Sequence, residues 1–202
     1  MSTVNIRVTT ISGKQYKIKN KQYDKLEALI THAKDKMSNP CIYHMLSWVR
    51  FPDKFASEKR NLIKSFKRNL KKQYKTLKQE VPDTLLAYSI EFKYTDGDEI
   101  KGVNTHPTTS EQLPFLHIHF HIIADCNNCN PITFPEYARK ALNDIEGLDK
   151  ARYFKSNNDE LYKKVKDDFA DSFQRLLYIG KINQKSPEIP FRETFGASSV
   201  ST

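Results

Sequence analysis

The chain has little cysteine, no long apolar run and a shortage of acid. Three cysteines in 202 residues, Cys41, Cys126 and Cys129, are too few for a disulfide framework. Cys126-Asn-Asn-Cys129 is a single C-x-x-C without a second pair, and its two turn-forming asparagines follow an apolar stretch. It therefore reads as a loop before it reads as a zinc or redox motif. No apolar run approaches the roughly 18 residues that span a bilayer, so a transmembrane helix is excluded and no membrane partner is expected. The opening MSTVNIRVTT lacks the basic-then-apolar pattern of a signal peptide, and the expected location is the cytoplasm. Neither an internal repeat nor a strong linker is evident, which fits one domain, or one domain with an appendage.

The missing acid is the more telling shortage. Lys and Arg number 33 against 24 Asp and Glu, a net charge of +9 and a sequence pI near 9.3. Such a surplus points to a polyanionic partner, nucleic acid or an acidic surface. Between Ser57 and Glu80 it is concentrated: Lys59, Arg60, Lys64, Lys67, Arg68, Lys71, Lys72, Lys75 and Lys78 face only Glu58 and Glu80. Leu62, Ile63, Phe66, Leu70, Tyr74 and Leu77 recur at helical spacing through the same stretch. A charged outer face is ordinarily just solvated. Here the surplus exceeds what solubility needs, and Lys64, Lys67, Arg68, Lys71, Lys72 and Lys75 are candidate phosphate contacts.

Hydrophobic residues make up 38% of the chain, enough for a core, and their periodicity predicts the elements. A small hairpin fills the first twenty residues, with Ser12-Gly13 as its turn, and a helix follows over 22–37. Then come a strand over 41–51 closed by Pro52-Asp53, the basic helix over 57–79, strands over 85–94 and 114–124, a helix over 134–143, a strand over 151–154 and a helix over 159–179. The serine-rich end is expected to fray. From residue 41 the order is β-α-β-β-α-β, which predicts an α+β, ferredoxin-like antiparallel sheet with helices on one face and chemistry on the other. The expected division is an extension over 1–39, a main domain over 40–185 and a tail over 186–202.

What the sheet carries is read from Leu113-Pro-Phe-Leu-His-Ile-His-Phe-His-Ile-Ile-Ala-Asp125. Three of the six histidines, His117, His119 and His121, stand at period two, so on a strand they share one face while Leu116, Ile118, Phe120 and Ile122 share the other. A solvated strand face usually mixes Thr, Lys, Ser and Glu; three imidazoles in register suggest a metal platform. Glu91 lies on the neighbouring strand, on the alternation that also holds Ser89. A carboxylate beside imidazoles makes a mixed N/O site for a divalent cation, although an edge salt bridge is the alternative role for Glu91. In the last helix Leu161, Val165, Phe169, Phe173 and Leu176 form the expected apolar stripe. Tyr178 lies almost opposite that stripe, with Lys181 one turn on.

These residues resemble a known family. His119-Phe120-His121 among apolar neighbours is similar to the HUH motif (histidine, bulky apolar residue, histidine). Tyr178-Ile-Gly-Lys181 resembles the Y-x-x-K motif of single-tyrosine HUH endonucleases. The order of Glu91, histidines and tyrosine resembles rolling-circle replication initiators, most closely the inovirus-type family of the filamentous phage gene II proteins. Val49-Arg50-Phe51, the basic helix, Tyr178 to Lys185 and the Phe191-Arg192 to Ser198 tail extend the likeness over roughly residues 40–198.

The resemblance implies a Mg2+ or Mn2+ ion held by His119, His121 and Glu91, with His117 as a further ligand or outer partner. It implies Tyr178 as the nucleophile that nicks single-stranded origin DNA through a 5′-phosphotyrosine, with Lys181 neutralising charge in the transition state. Lys185 joins the DNA-binding set, and a host helicase and polymerase are further implied partners. Tyr162 is a competing nucleophile but lacks a lysine three residues on. A relaxase or single-tyrosine transposase would use the same chemistry, and a non-catalytic DNA-binding module is the contrasting class.

Overall fold

The computed structural model of the chain describes residues 5–9, 13, 15–95, 113–153, 161–181 and 193–200. In chain order its elements are β1 (Asn5–Thr9), β2 (Gln15–Lys19), α1 (Asn20–Lys36), β3 (Pro40–Trp48), α2 (Pro52–Lys59) and α3 (Leu62–Leu77). They continue with β4 (Thr84–Thr95), β5 (Leu113–Asp125), α4 (Phe134–Asn143), β6 (Arg152–Tyr153), β7 (Lys163–Lys164), α5 (Phe169–Tyr178) and β8 (Phe195–Ala197). The architecture is α+β. Strands β1 and β2 pair as a hairpin, and the others build one antiparallel sheet in the order β6-β3-β5-β4-β8, with β7 also pairing on β3.

The alternating sequence of β5 places it at the centre, between β3 and β4. Its apolar alternation, Ile118, Phe120, Ile122 and Ala124, packs with Tyr43 and Met45 of β3 and Leu86, Tyr88 and Ile90 of β4. Helices α3 and α4 close over that face through Phe66, Leu70, Tyr74, Phe134 and Leu142. The other face carries the histidines, and beyond them it becomes apolar at Ile123, with Ile42 and Leu85 alongside. An apolar patch of that kind must be covered. Leu26, Leu29 and Ile30 of α1 and Leu176 and Leu177 of α5 cover it, together with Tyr16 and Ile18 of β2. Helices therefore lie on both faces, which corrects the one-faced arrangement expected. The N-terminal hairpin and α1 share this second core with α5.

Other boundaries differ for local reasons. Pro52 opens α2 in place of closing a strand, since a proline at the first helical turn loses no intrahelical hydrogen bond. The basic helix is confined to α3, with Arg60 and Asn61 separating it from α2. α5 starts ten residues later than the periodicity suggested, at the Asp168 cap, whose carboxylate accepts from the Asp171 N–H at 3.0 Å. Leu161 and Val165 thus precede the helix. The expected fraying also fails over 195–200. Phe195–Ala197 pairs with β4, and Ser198 exchanges hydrogen bonds with Leu86, accepting at 2.9 Å and donating its N–H at 2.8 Å. Gly196 is required there, because a Cβ would stand 2.4 Å from the Tyr88 ring.

Phe120 is fully buried at the middle of the central strand, between the two helices above it and the histidines below. Phe120→Ala is expected to lower unfolding free energy by about 3–5 kcal/mol in a denaturant titration. A loss below about 1 kcal/mol would contradict this packing.

Candidate metal centre

Register decides which side chains meet. Across β4 and β5, Glu91 stands opposite His117, Ser89 opposite His119 and Ala87 opposite His121. Across β3 and β5, Trp48 stands opposite His117, Leu46 opposite His119 and His44 opposite His121. Directly opposed residues share a face, so three strands supply one surface holding Glu91, the three histidines and His44.

The Glu91 carboxylate is fully buried and accepts no hydrogen bond. His117 Nε2 lies 3.4 Å from its Oε2, and His119 Nε2 lies 3.6 Å from the same oxygen. These three residues offer ligand atoms within 4.8 Å of one another, the one such grouping of His, Cys, Asp or Glu among the described residues. A buried carboxylate without a hydrogen bond is costly unless a cation or a donor faces it. One carboxylate oxygen and two imidazole nitrogens suit a divalent ion that keeps open positions. The donor set fits such an ion, and does not fix which one.

His121 does not belong to this group. It lies four residues along the strand from the register position of Glu91, about 13 Å at the usual strand rise. Its ring stacks on His44 at 4.4 Å, and neither of its nitrogens has a hydrogen-bond partner. Burial, followed by the nearby His44, His119 and Arg175, holds it well below the usual imidazole range. The geometry thus pairs His117 with His119, where His119 with His121 was expected. His44, which sequence reasoning overlooked, supports the site: its Nε2 lies 2.8 Å from His119 Nδ1. Burial, with Arg175 and Lys181 adding to it, lowers His44 to about 3, so it is neutral near pH 7. When His119 Nδ1 donates to it, His119 Nε2 keeps a lone pair toward Glu91.

The end of α5 reaches the same surface. The Tyr178 ring lies 6.1 Å from that of His119, edge to face, and the residue is 39% exposed. Lys181 is buried, with Nζ 3.6 Å from the Tyr178 ring centroid and 3.7 Å from Glu91 Oε2. Its backbone is held by a bridge to Ile18 of β2. Tyr16 of β2 is also close: burial, followed by the neighbouring Tyr178, pushes its phenol up to about 12. On the His117 side the Trp48 ring packs edge to face at 5.5 Å, and the Arg152 guanidinium sits 5.6 Å from the Trp48 ring.

Tyr162 lies elsewhere, with its ring 5.8 Å from Tyr43 on the opposite face of the sheet. Lys64, Lys67, Arg68, Lys71, Lys72 and Lys75 are all exposed on α3, also beyond that opposite face. Lys185 falls outside the described residues. The three cysteines are free thiols, and Cys126 Sγ lies 3.2 Å from the Tyr43 hydroxyl, on the far side from the histidines.

Calorimetric titration with Mn2+ separates the two histidine pairs. His117→Ala and His119→Ala are each expected to lower affinity at least about tenfold, whereas His121→Leu keeps one site of near-native affinity. Loss of binding in His121→Leu with retention in His117→Ala, both variants folded, would restore the other pair. Comparison with family models, curated proteins and solved structures finds no match to the chain.

Proposed function

We propose that the protein is a metal-dependent HUH-type endonuclease that nicks and rejoins single-stranded DNA at a rolling-circle origin. The observation that carries this reading is the convergence of Tyr178 and Lys181, from the end of α5, on the Glu91–His117–His119 group of the sheet. Those residues come from distant parts of the chain, yet the expected carboxylate, tyrosine and lysine share one surface with His117 and His119. The strand order β6-β3-β5-β4 also supports a ferredoxin-like reading, since β5 lies between two strands joined through α2 and α3.

In this reading Glu91, His117 and His119 would hold Mg2+ or Mn2+, which when bound would supply Lewis-acid chemistry. Tyr178, partly exposed beside His119, presents its hydroxyl to the phosphorus. Its Oη forms the new P–O bond as the bond to the 3′ oxygen breaks. The phenolic proton leaves to solvent, the departing oxygen gains a proton, and a 5′-phosphotyrosine and a free 3′-OH result. Lys181 sits over the Tyr178 ring and favours negative charge developing there. His44 keeps His119 in the ligating tautomer. Because the α3 cations stand across the sheet from Tyr178, they serve DNA that flanks the cleaved phosphate, through salt-sensitive backbone contacts.

Incubation with single-stranded origin DNA and Mn2+, followed by a denaturing gel, tests this reading. Wild type and Tyr162→Phe are expected to yield a covalent protein–DNA adduct. Tyr178→Phe is expected to yield none while binding DNA within about twofold of wild type, because one hydroxyl contributes little to backbone binding. An adduct that persists in Tyr178→Phe would move the nucleophile elsewhere.

A further inference from the structure

Three nitrogens approach one oxygen of Glu91. Besides the imidazoles at 3.4 and 3.6 Å, Lys181 Nζ lies 3.7 Å from Oε2, on a side chain that is itself 9% exposed. Glu91 is fully buried, and a buried carboxylate needs a counter-charge close by. An imidazole can ligate a cation only through an unprotonated nitrogen, so a histidine serving as ligand cannot also supply that charge. The ammonium can. Its backbone is pinned by the bridge to Ile18 and by its own N–H donating to the Tyr178 carbonyl at 3.2 Å. The flexible four-carbon stem leaves the head able to move between two partners, the Glu91 carboxylate and the Tyr178 ring 3.6 Å away.

We infer that Lys181 is an exchangeable counter-ion: it neutralises Glu91 when the centre holds no metal and yields that oxygen to a divalent cation. The inference rests on the reading of Glu91, His117 and His119 as a metal centre. A dication and an ammonium sharing one buried oxygen repel strongly, so loading the centre drives the lysine head off Glu91. Its remaining partner is Tyr178, and the released charge moves to the group that attacks. Filling the centre thereby also arms the nucleophile, whereas in the empty centre the lysine is shared between the Tyr178 ring and Glu91.

The full chain without DNA, titrated with Mn2+ by calorimetry, gives a readout independent of cleavage. Lys181→Met keeps the stem and removes the charge, and it is expected to bind Mn2+ about tenfold more tightly than wild type. Structural damage would loosen binding, so the direction is diagnostic. Lys181→Arg, which keeps the charge, is expected to stay near wild type. In EDTA, Lys181→Met is expected to melt below wild type, with the gap closing when Mn2+ is added. Should that variant not fold, the Lys181 ammonium resonance of the ¹⁵N-labelled wild type is expected to shift on Mg2+ addition. Unchanged or weaker Mn2+ binding by folded Lys181→Met, or an ammonium signal indifferent to saturating Mg2+, would overturn the inference. Failure of wild type itself to bind Mn2+ would remove the metal centre, and the counter-ion exchange with it.

Discussion

A carboxylate taken wholly out of water governs this structure. Glu91 lies on β4 with no exposure and no hydrogen bond, and its neighbours are two imidazoles and one ammonium. Leaving such a group unneutralised would cost several kcal/mol, so the surrounding fold must keep positive charge, or a seat for it, within reach. The sheet provides His117 and His119 from the adjacent strand. The end of α5 provides Lys181, with Tyr178 alongside. The groups around the carboxylate thus tie the centre to elements from β4 to the end of α5.

The two cores explain how that placement is achieved. On one face α3 and α4 pack against Phe120 and its neighbours on β5. On the other, α1, α5 and the N-terminal hairpin cover the apolar end of the histidine face, and the end of α5 brings Tyr178 and Lys181 to the histidines. The histidines are buried beside that second core, with Lys181 and Glu91, while Tyr178 is partly exposed. The hairpin is a working part of this arrangement: Ile18 bridges Lys181, and Tyr16 stands near Tyr178.

Much of the site was legible in the sequence because strand alternation is strict. Period two put the histidines on one face, and the polar alternation of β4 put Glu91 and Ser89 on the same one. Register was not legible. It is normally set by a short turn, and 17 residues separate β4 from β5, so no local pattern determines which histidine opposes Glu91. That is why His117, and not His121, joins the carboxylate. His44 was missed because a lone histidine on a strand rich in apolar residues reads as packing until its partner strand is known. Helices on the second face were missed for a related reason: Ile42, Leu85 and Ile123 look like ordinary strand residues until aligned as one patch. The cationic stripe of α3 was correctly read as exposed, but its face relative to Tyr178 depends on the crossover, which periodicity does not encode.

If Glu91, His117 and His119 together hold one divalent cation, that ion has a position that can be seen. Anomalous diffraction from a crystal soaked in Mn2+ would locate it. A single strong peak is expected within about 2.0–2.6 Å of Glu91 Oε2 and of the Nε2 atoms of His117 and His119, the range of ordinary metal–ligand distances. A peak lodged between His44 and His121, or no peak on this face of the sheet, would contradict it.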